Sequence, residues 1–261
     1  MAYSKNMIFP LFNNRRKQIL AEPFPYEWNS YLDNNVGLYR RLTIDEKERL
    51  REPTKVIVRE KNWEGCKGLV LTDEHRVTIA AQASMLILGI DHDYFANVKS
   101  ILVYPAGYTV KTTITNGRIV SEGPSDRLGE AWSGDLPVIL SWPDALAGGR
   151  DETDGHNVVL HEFAHKLDNR DGTGDGVPKL GSDAEYHRWS VVMSHEFEVL
   201  QYRASTGQPS LLNQYGATNA AEFFAVTTEC FFERPRELRH YHPDLYRIFR
   251  DYYKQDPATR Y

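Results

Sequence analysis

Cysteine is nearly missing from this chain: two occur in 261 residues, Cys66 and Cys230, far apart in sequence. Neither belongs to a Cys-x-x-Cys pair, so thiolate metal sites are disfavoured and nothing suggests a disulfide framework. Long apolar runs are missing too. No segment approaches the roughly 20 apolar residues that a bilayer-spanning helix needs. The short apolar stretch from Met7 to Phe12 is interrupted by Pro10 and followed, not preceded, by Arg15, Arg16 and Lys17. A secretory leader has the opposite order. Charge of one sign is not concentrated anywhere. The net charge of -5 comes from interspersed acidic and basic residues, with no basic stripe for nucleic acid and no acidic tail. Repeats, low-complexity tracts and clear linkers are also absent. These gaps point to a soluble, reduced, cytoplasmic protein with no direct nucleic-acid or membrane partner.

What remains is an ordinary globular composition, 41% hydrophobic and 26% charged, with ample length for a real core. The chain reads as one domain over residues 1–261, with an N-terminal helical segment (1–52) and a core (53–261). Residues 1–24 look irregular because Pro10 and Pro23 break any long helix. A helix is expected from Tyr26 to Asp33. Another opens at the capping box Thr43-Ile44-Asp45-Glu46 and runs to Arg51, where Pro53 stops it. Val56-Ile57-Val58 reads as a strand, and Asp73 to Leu88 as a helix with Thr72 as cap. Strands are expected at Ile101–Tyr104, at Tyr108–Thr115 with an Asn116-Gly117 turn into Arg118–Val120, and at Leu136–Trp142. Pro143 to Asn157 reads as turn-rich. Three later helices are expected, at about 183–205, 219–232 and 244–255, the first ended by Gly207 and Pro209. Strands first and helices later describe an α+β domain with a small mixed sheet and a helical C-terminal half.

The chemistry sits between these halves. Val158 to Asp168 contains His161-Glu162-Phe163-Ala164-His165, an HExxH motif. Residues four apart lie on one helical face, so both imidazoles reach a single metal ion, and Glu162 lies beside its open position as a general base for water. Two surface histidines on an ordinary amphipathic helix are the competing reading. Against it, Val158, Leu160, Phe163, Ala164 and Leu167 give this helix an apolar face to dock. A hydrolytic site needs a third protein ligand. Glu222 is the best candidate, because it is a carboxylate on the otherwise apolar run Ala220–Val226, and a buried carboxylate is costly without a partner cation. Glu229 lies two turns on and is either the ligand itself, an outer carboxylate or a surface residue; a histidine from elsewhere is the remaining alternative. Tyr215 is a candidate hydrogen-bond donor to an oxyanion, or simply one of fifteen tyrosines. Asp168 either orients His165 through its free ring nitrogen or caps the helix.

Other groups carry less. His195-Glu196 fails the spacing, since position 199 is Val199. His240 and His242 read as surface or capping groups, and His156 caps the motif helix or lines the cleft. Asp168, Asp171 and Asp175 do not match the spacing of a calcium loop.

The motif block, with Trp142-Pro143 upstream and Ala221-Glu222-Phe223-Phe224-Ala225 downstream, resembles the Mlc titration factor A family. The likeness runs from about Val56 to the Tyr246–Pro257 region. It implies a zincin-like metallopeptidase with one zinc ion per chain, aminopeptidase-like cleavage of small peptides, and a transcriptional repressor of the Mlc type as partner. The same blocks are similar to the catalytic domain of anthrax lethal factor, where a tyrosine precedes a glutamate ligand by the spacing from Tyr215 to Glu222. That likeness favours Glu222 as ligand and Tyr215 as a catalytic group. One departure is clear. Metallopeptidases with a glutamate third ligand often carry an acidic residue four positions later, and here Val226 stands there, leaving Asp168 or Glu229 to replace it. A binding protein that sequesters the repressor, with peptidase activity secondary, is the alternative function. The strand from Leu136 to Leu140 would then, in an enzyme, pair with extended substrate backbone.

Overall fold

Helices carry most of the chain. The computed structural model describes residues 8–106, 111–115, 118–122 and 137–260, with the backbone alone for 8–14, 111–115 and 118–122. Four helices come first: α1 (Ile8–Ala21), α2 (Trp28–Asn35), α3 (Gly37–Arg40) and α4 (Ile44–Glu60). The segment expected to be irregular therefore forms α1, with Pro10 in the first turn, where its missing N–H costs nothing. Helix α4 opens on the expected capping box: Thr43 N–H donates to the Glu46 carboxylate at 2.9 Å, and Glu46 N–H donates to Thr43 Oγ1 at 3.3 Å.

The stop expected at Pro53 does not occur, and Val56-Ile57-Val58 is not a strand. Helix α4 runs through both. Leu50, Pro53, Val56 and Ile57 are all buried, and α4 packs along α5 (Asp73–Ile87). Burial of that face outweighs the lost hydrogen bond and the low helix propensity of the β-branched run. A short apolar run bounded on both sides cannot by itself separate a buried helix from a buried strand.

Three short strands, β1 (Asn62–Gly65), β2 (Ser100–Tyr104) and β5 (Val138–Ser141), form a sheet of order β1-β2-β5. All pairs are parallel, with Trp63 opposite Ile101 and Ile101 opposite Val138. Among the described residues the sheet is thus parallel, where a mixed one was expected. A separate antiparallel pair, β3 (Lys111–Thr115) and β4 (Arg118–Glu122), agrees with the expected hairpin, though its Asn116-Gly117 turn lies outside the described residues. Ile101 and Val103 on β2 alternate inward onto the helices. Strand β5 ends at Ser141, and α6 (Trp142–Arg150) occupies much of the segment expected to be turn-rich, with Pro143 in its first turn and Ser141 as cap.

The motif helix α7 (Val158–Asp168) lies against α5, α6 and β5. The remaining helices are α8 (Asp183–Thr206), α9 (Ala220–Glu233), α10 (Pro235–Tyr241) and α11 (Pro243–Tyr253). Gly207 ends α8 in the left-handed conformation, as its place after the last turn suggests. Trp189 of α8 stacks on Phe249 of α11 (centroids 5.2 Å apart, planes 20°) and meets Phe224 of α9 at 5.8 Å. Between α5 and β2 the chain turns through two left-handed residues, Tyr94 (φ 60°) and Phe95 (φ 54°). Phe95 is buried edge-on against Phe163 of α7 at 4.8 Å, and this packing holds a backbone that a bulky side chain rarely adopts. Among the described residues no helix is long and apolar enough to cross a membrane.

Candidate metal centre

Helix α7 buries Val159, Leu160, Phe163, Ala164 and Leu167 and leaves His161, Glu162 and His165 on its half-buried opposite side. The two imidazoles come together by the expected i, i+4 geometry, with Nε2 atoms 3.2 Å apart. The third group arrives from α9. Asn219 caps that helix by accepting from Glu222 N–H at 2.9 Å, which fixes Glu222 in the first turn, where the helix dipole favours an anion. Its Oε2 lies 2.9 Å from His161 Nε2 and 3.5 Å from His165 Nε2. Among the described residues this is the only group of three or more histidine, cysteine or acidic side chains placed to hold a metal ion.

The donor set fits a metal closely. Four ligands at about 2.0–2.1 Å in tetrahedral array sit about 3.3 Å from one another. The triangle observed, with edges of 2.9, 3.2 and 3.5 Å, has that size. Two imidazoles and a carboxylate suit zinc or a neighbouring first-row ion. The electrostatics agree. Burial works against charge on His161, yet Glu222 and Glu229 overcome it and raise its pKa to about 10. Burial likewise opposes ionisation of Glu222, but the two histidines pull its pKa down to about 2. The cluster is built around a positive charge, which a metal supplies in exchange for protons.

Behind the ligand candidates, the structure separates the two outer carboxylates. Glu229, 2% exposed on α9, accepts from His161 Nδ1 at 2.7 Å and from Asn157 N–H, and lies 3.5 Å from His156 Nδ1. It pins His161 so that Nε2 faces Glu222 and His165. Burial raises and these hydrogen bonds lower the Glu229 pKa, and the net is downward. Asp168 has another task. It is fully buried at the end of α7, and both its oxygens accept from Gly176 N–H at 2.9 Å. It ties the post-motif loop to the helix, and burial raises its pKa to about 6.

Tyr215 sits in a 3-10 turn (Gln214–Ala217) capped by Asn213, with its ring 6.2 Å from that of His161 and 56% exposed. Burial, then the Glu222 and Glu162 carboxylates, raise its pKa, so at neutral pH the phenol keeps its proton and can donate it. Val226, standing where other glutamate-ligand metallopeptidases often carry an acid, takes a packing role. A side chain at Gly216 would meet Val226 Cβ at 3.3 Å, so Val226 seats the turn that carries Tyr215.

Residues absent from the sequence reading complete the support. Asn157, not His156, caps α7: its Oδ1 accepts from Val159 and Leu160 N–H, while Nδ2 donates to Gln82, Gly148 O and Glu233. An asparagine just before an apolar helical run is a start signal, but nothing local points to Gln82 or Glu233. Burial drives Glu233 well above the usual carboxylate range. Asn157→Ala loses the cap and strands several buried partners. It is expected to lower stability by about 2–4 kcal/mol, read as a shifted urea midpoint with unchanged slope. The pair His195-Glu196 is no second site: Glu196 instead accepts from His242 Nδ1 at 2.7 Å, so His242 is a partly buried link to α8 and not a free surface group.

Residues 11–254 match the family described as glucose-regulated metallo-peptidase M90. An uncharacterized protein of Synechocystis sp. is 38% identical over 244 residues, 93% of this chain and 89% of its own length. Proteins named Mlc titration factor A from Yersinia pestis and Yersinia pseudotuberculosis are each 28% identical over 254 residues, covering 95% of this chain and 89% of theirs.

Proposed function

The chain belongs to the glucose-regulated metallo-peptidase M90 family, and from that premise we propose that it is a zincin-like, zinc-dependent peptidase of aminopeptidase type, acting in the cytoplasm. His161, His165 and Glu222 hold one zinc ion. The convergence of their three donor atoms within 4.8 Å of one another carries this reading.

Bound there, zinc supplies Lewis acidity, lowering the pKa of a coordinated water toward neutrality. The protein's own groups do the rest. Glu162 takes the water's proton as the oxygen attacks a peptide carbonyl, then gives it to the departing amine. Tyr215 donates its phenolic hydrogen to the carbonyl oxygen as negative charge develops. Glu229 and Asn157 keep His161 in the tautomer and orientation that ligation requires. Strand β5, at an edge of its sheet among the described residues, offers main-chain groups to an extended peptide. Backbone pairing of this kind reads few side chains and suits small peptides of varied sequence.

The test is zinc content by mass spectrometry together with hydrolysis of small chromogenic peptides. About one zinc per chain is expected, with activity lost to a chelator and restored by zinc. A purified chain that takes up no zinc even when supplied, and cleaves no peptide, overturns the reading. Tyr215→Phe is expected to lower kcat by about 10²–10³ with KM little changed. A fall in substrate affinity alone would instead make Tyr215 a binding group.

A second reading follows from the name of the Yersinia relatives: the chain sequesters an Mlc-type repressor, with peptidase activity secondary. Glu162→Gln separates the two in cells. Relief of repression that survives the substitution makes binding sufficient, and relief that disappears while binding remains makes catalysis necessary.

A further inference from the structure

A cavity of about 400 Å³ borders the post-motif loop at Arg170, and none of the metal-ligand candidates lines it. Its volume falls in the range of small-molecule sites. Five segments meet there: the loop after α5, the loop after α7, the approach to α8, α8 itself and α11 with Lys254 beyond it. Leu180, Trp189, Ile248 and Tyr252 give it an apolar wall.

Charge on the rim decides what fits. Four cations, Arg170, Lys179, Arg188 and Lys254, line the cavity with three carboxylates, Asp91, Glu185 and Asp251. Two of the acids are already engaged. Glu185 accepts from Gly181 N–H at 2.7 Å, and Asp251 accepts from Arg250 at 3.0 Å with Arg188 at 3.8 Å. Arg170 is held by Asp91 O and by Asp93, each at 3.3 Å. Lys179 and Lys254 have no ion pair among the described residues, and neither do the Asp91 and Glu185 carboxylates that share the rim with them. The chain carries a net charge of -5, yet this rim sets four cations against three carboxylates beside an apolar wall.

We propose that this cavity is a second binding site, for a small organic anion: one carboxylate or phosphate head held between Lys179 and Lys254, and a compact apolar body against Leu180, Ile248 and Tyr252. A charged head on exposed lysines alone would bind weakly, because both partners stay hydrated. The adjoining apolar wall supplies the additional area removed from water.

Calorimetric titration of the full chain tests this with three probes: phenyl phosphate, N-acetylphenylalanine, and the uncharged N-acetylphenylalanine amide. Saturable binding of either anion with Kd about 0.1–1 mM is expected, with the amide at least about tenfold weaker. Which anion binds more tightly distinguishes a phosphate from a carboxylate ligand. In the double variant Lys179→Glu, Lys254→Glu, whose exposed positions leave the core untouched, affinity for the anion should fall at least about tenfold. No saturation by about 10 mM, equal affinity for the neutral amide, or unchanged affinity in the double variant each overturns the proposal; the last outcome would place the anion elsewhere, for instance at the metal centre.

Discussion

Glu162→Gln is expected to keep its metal and lose turnover. The side chain is nearly isosteric and is not one of the three converging donors, so zinc content should stay at the wild-type level. The amide cannot accept a proton at neutral pH, and general-base contributions of this kind are worth about 10²–10⁴ in rate. The measurement pairs metal content with kcat on one preparation. Turnover within about tenfold of wild type would remove Glu162 from the mechanism, and the base would have to be sought elsewhere in the cleft.

The second large effect distinguishes the two glutamates of α9. Glu222→Ala removes one of three donors, and the two histidines left behind hold a divalent ion poorly, so metal content should fall from about one per chain to near zero. Glu229→Gln should behave differently. Its amide oxygen still accepts from His161 Nδ1, but the negative charge that raises imidazole basicity is gone, and metal affinity is expected to weaken by about 10–100-fold without vanishing at saturating zinc. Glu229→Ala goes further: the glutamine fails only the buried Asn157 N–H, whereas alanine leaves both it and His161 Nδ1 without an acceptor, and should lower stability by about 1–3 kcal/mol. If Glu229→Ala lost its zinc while Glu222→Ala kept it, the roles of the two carboxylates would be reversed.

Much of the helical framework was legible because its signals are local. The capping box at Thr43 and the glycine that ends α8 each lie within a few residues of the boundary they set. The misreadings have two causes. Pro53, the Val56–Val58 run and Pro143 all read as breaks or strands in isolation, and all three lie in helices. For Pro53 and Val56–Val58, burial along α5 decides the matter, and a window of a few residues does not contain it. Pro143 is tolerated because it falls in a first turn.

The site divides along the same line. The sequence alone determined that His161 and His165 face one way with Glu162 beside them, because 3.6 residues per turn fixes the geometry of neighbours four apart. Only the tertiary structure brought Glu222 within 2.9 Å of His161 across 61 positions, and set Glu229, not Asp168, against the His161 ring across 68. Both carboxylates lie on α9 and Asp168 lies on the motif helix itself, and the sequence left Asp168 and Glu229 open as the outer carboxylate. The packing of α9 along α7 decides between them, since which face of one helix meets another is settled by the fit of side chains over the whole interface and not by any short stretch of chain.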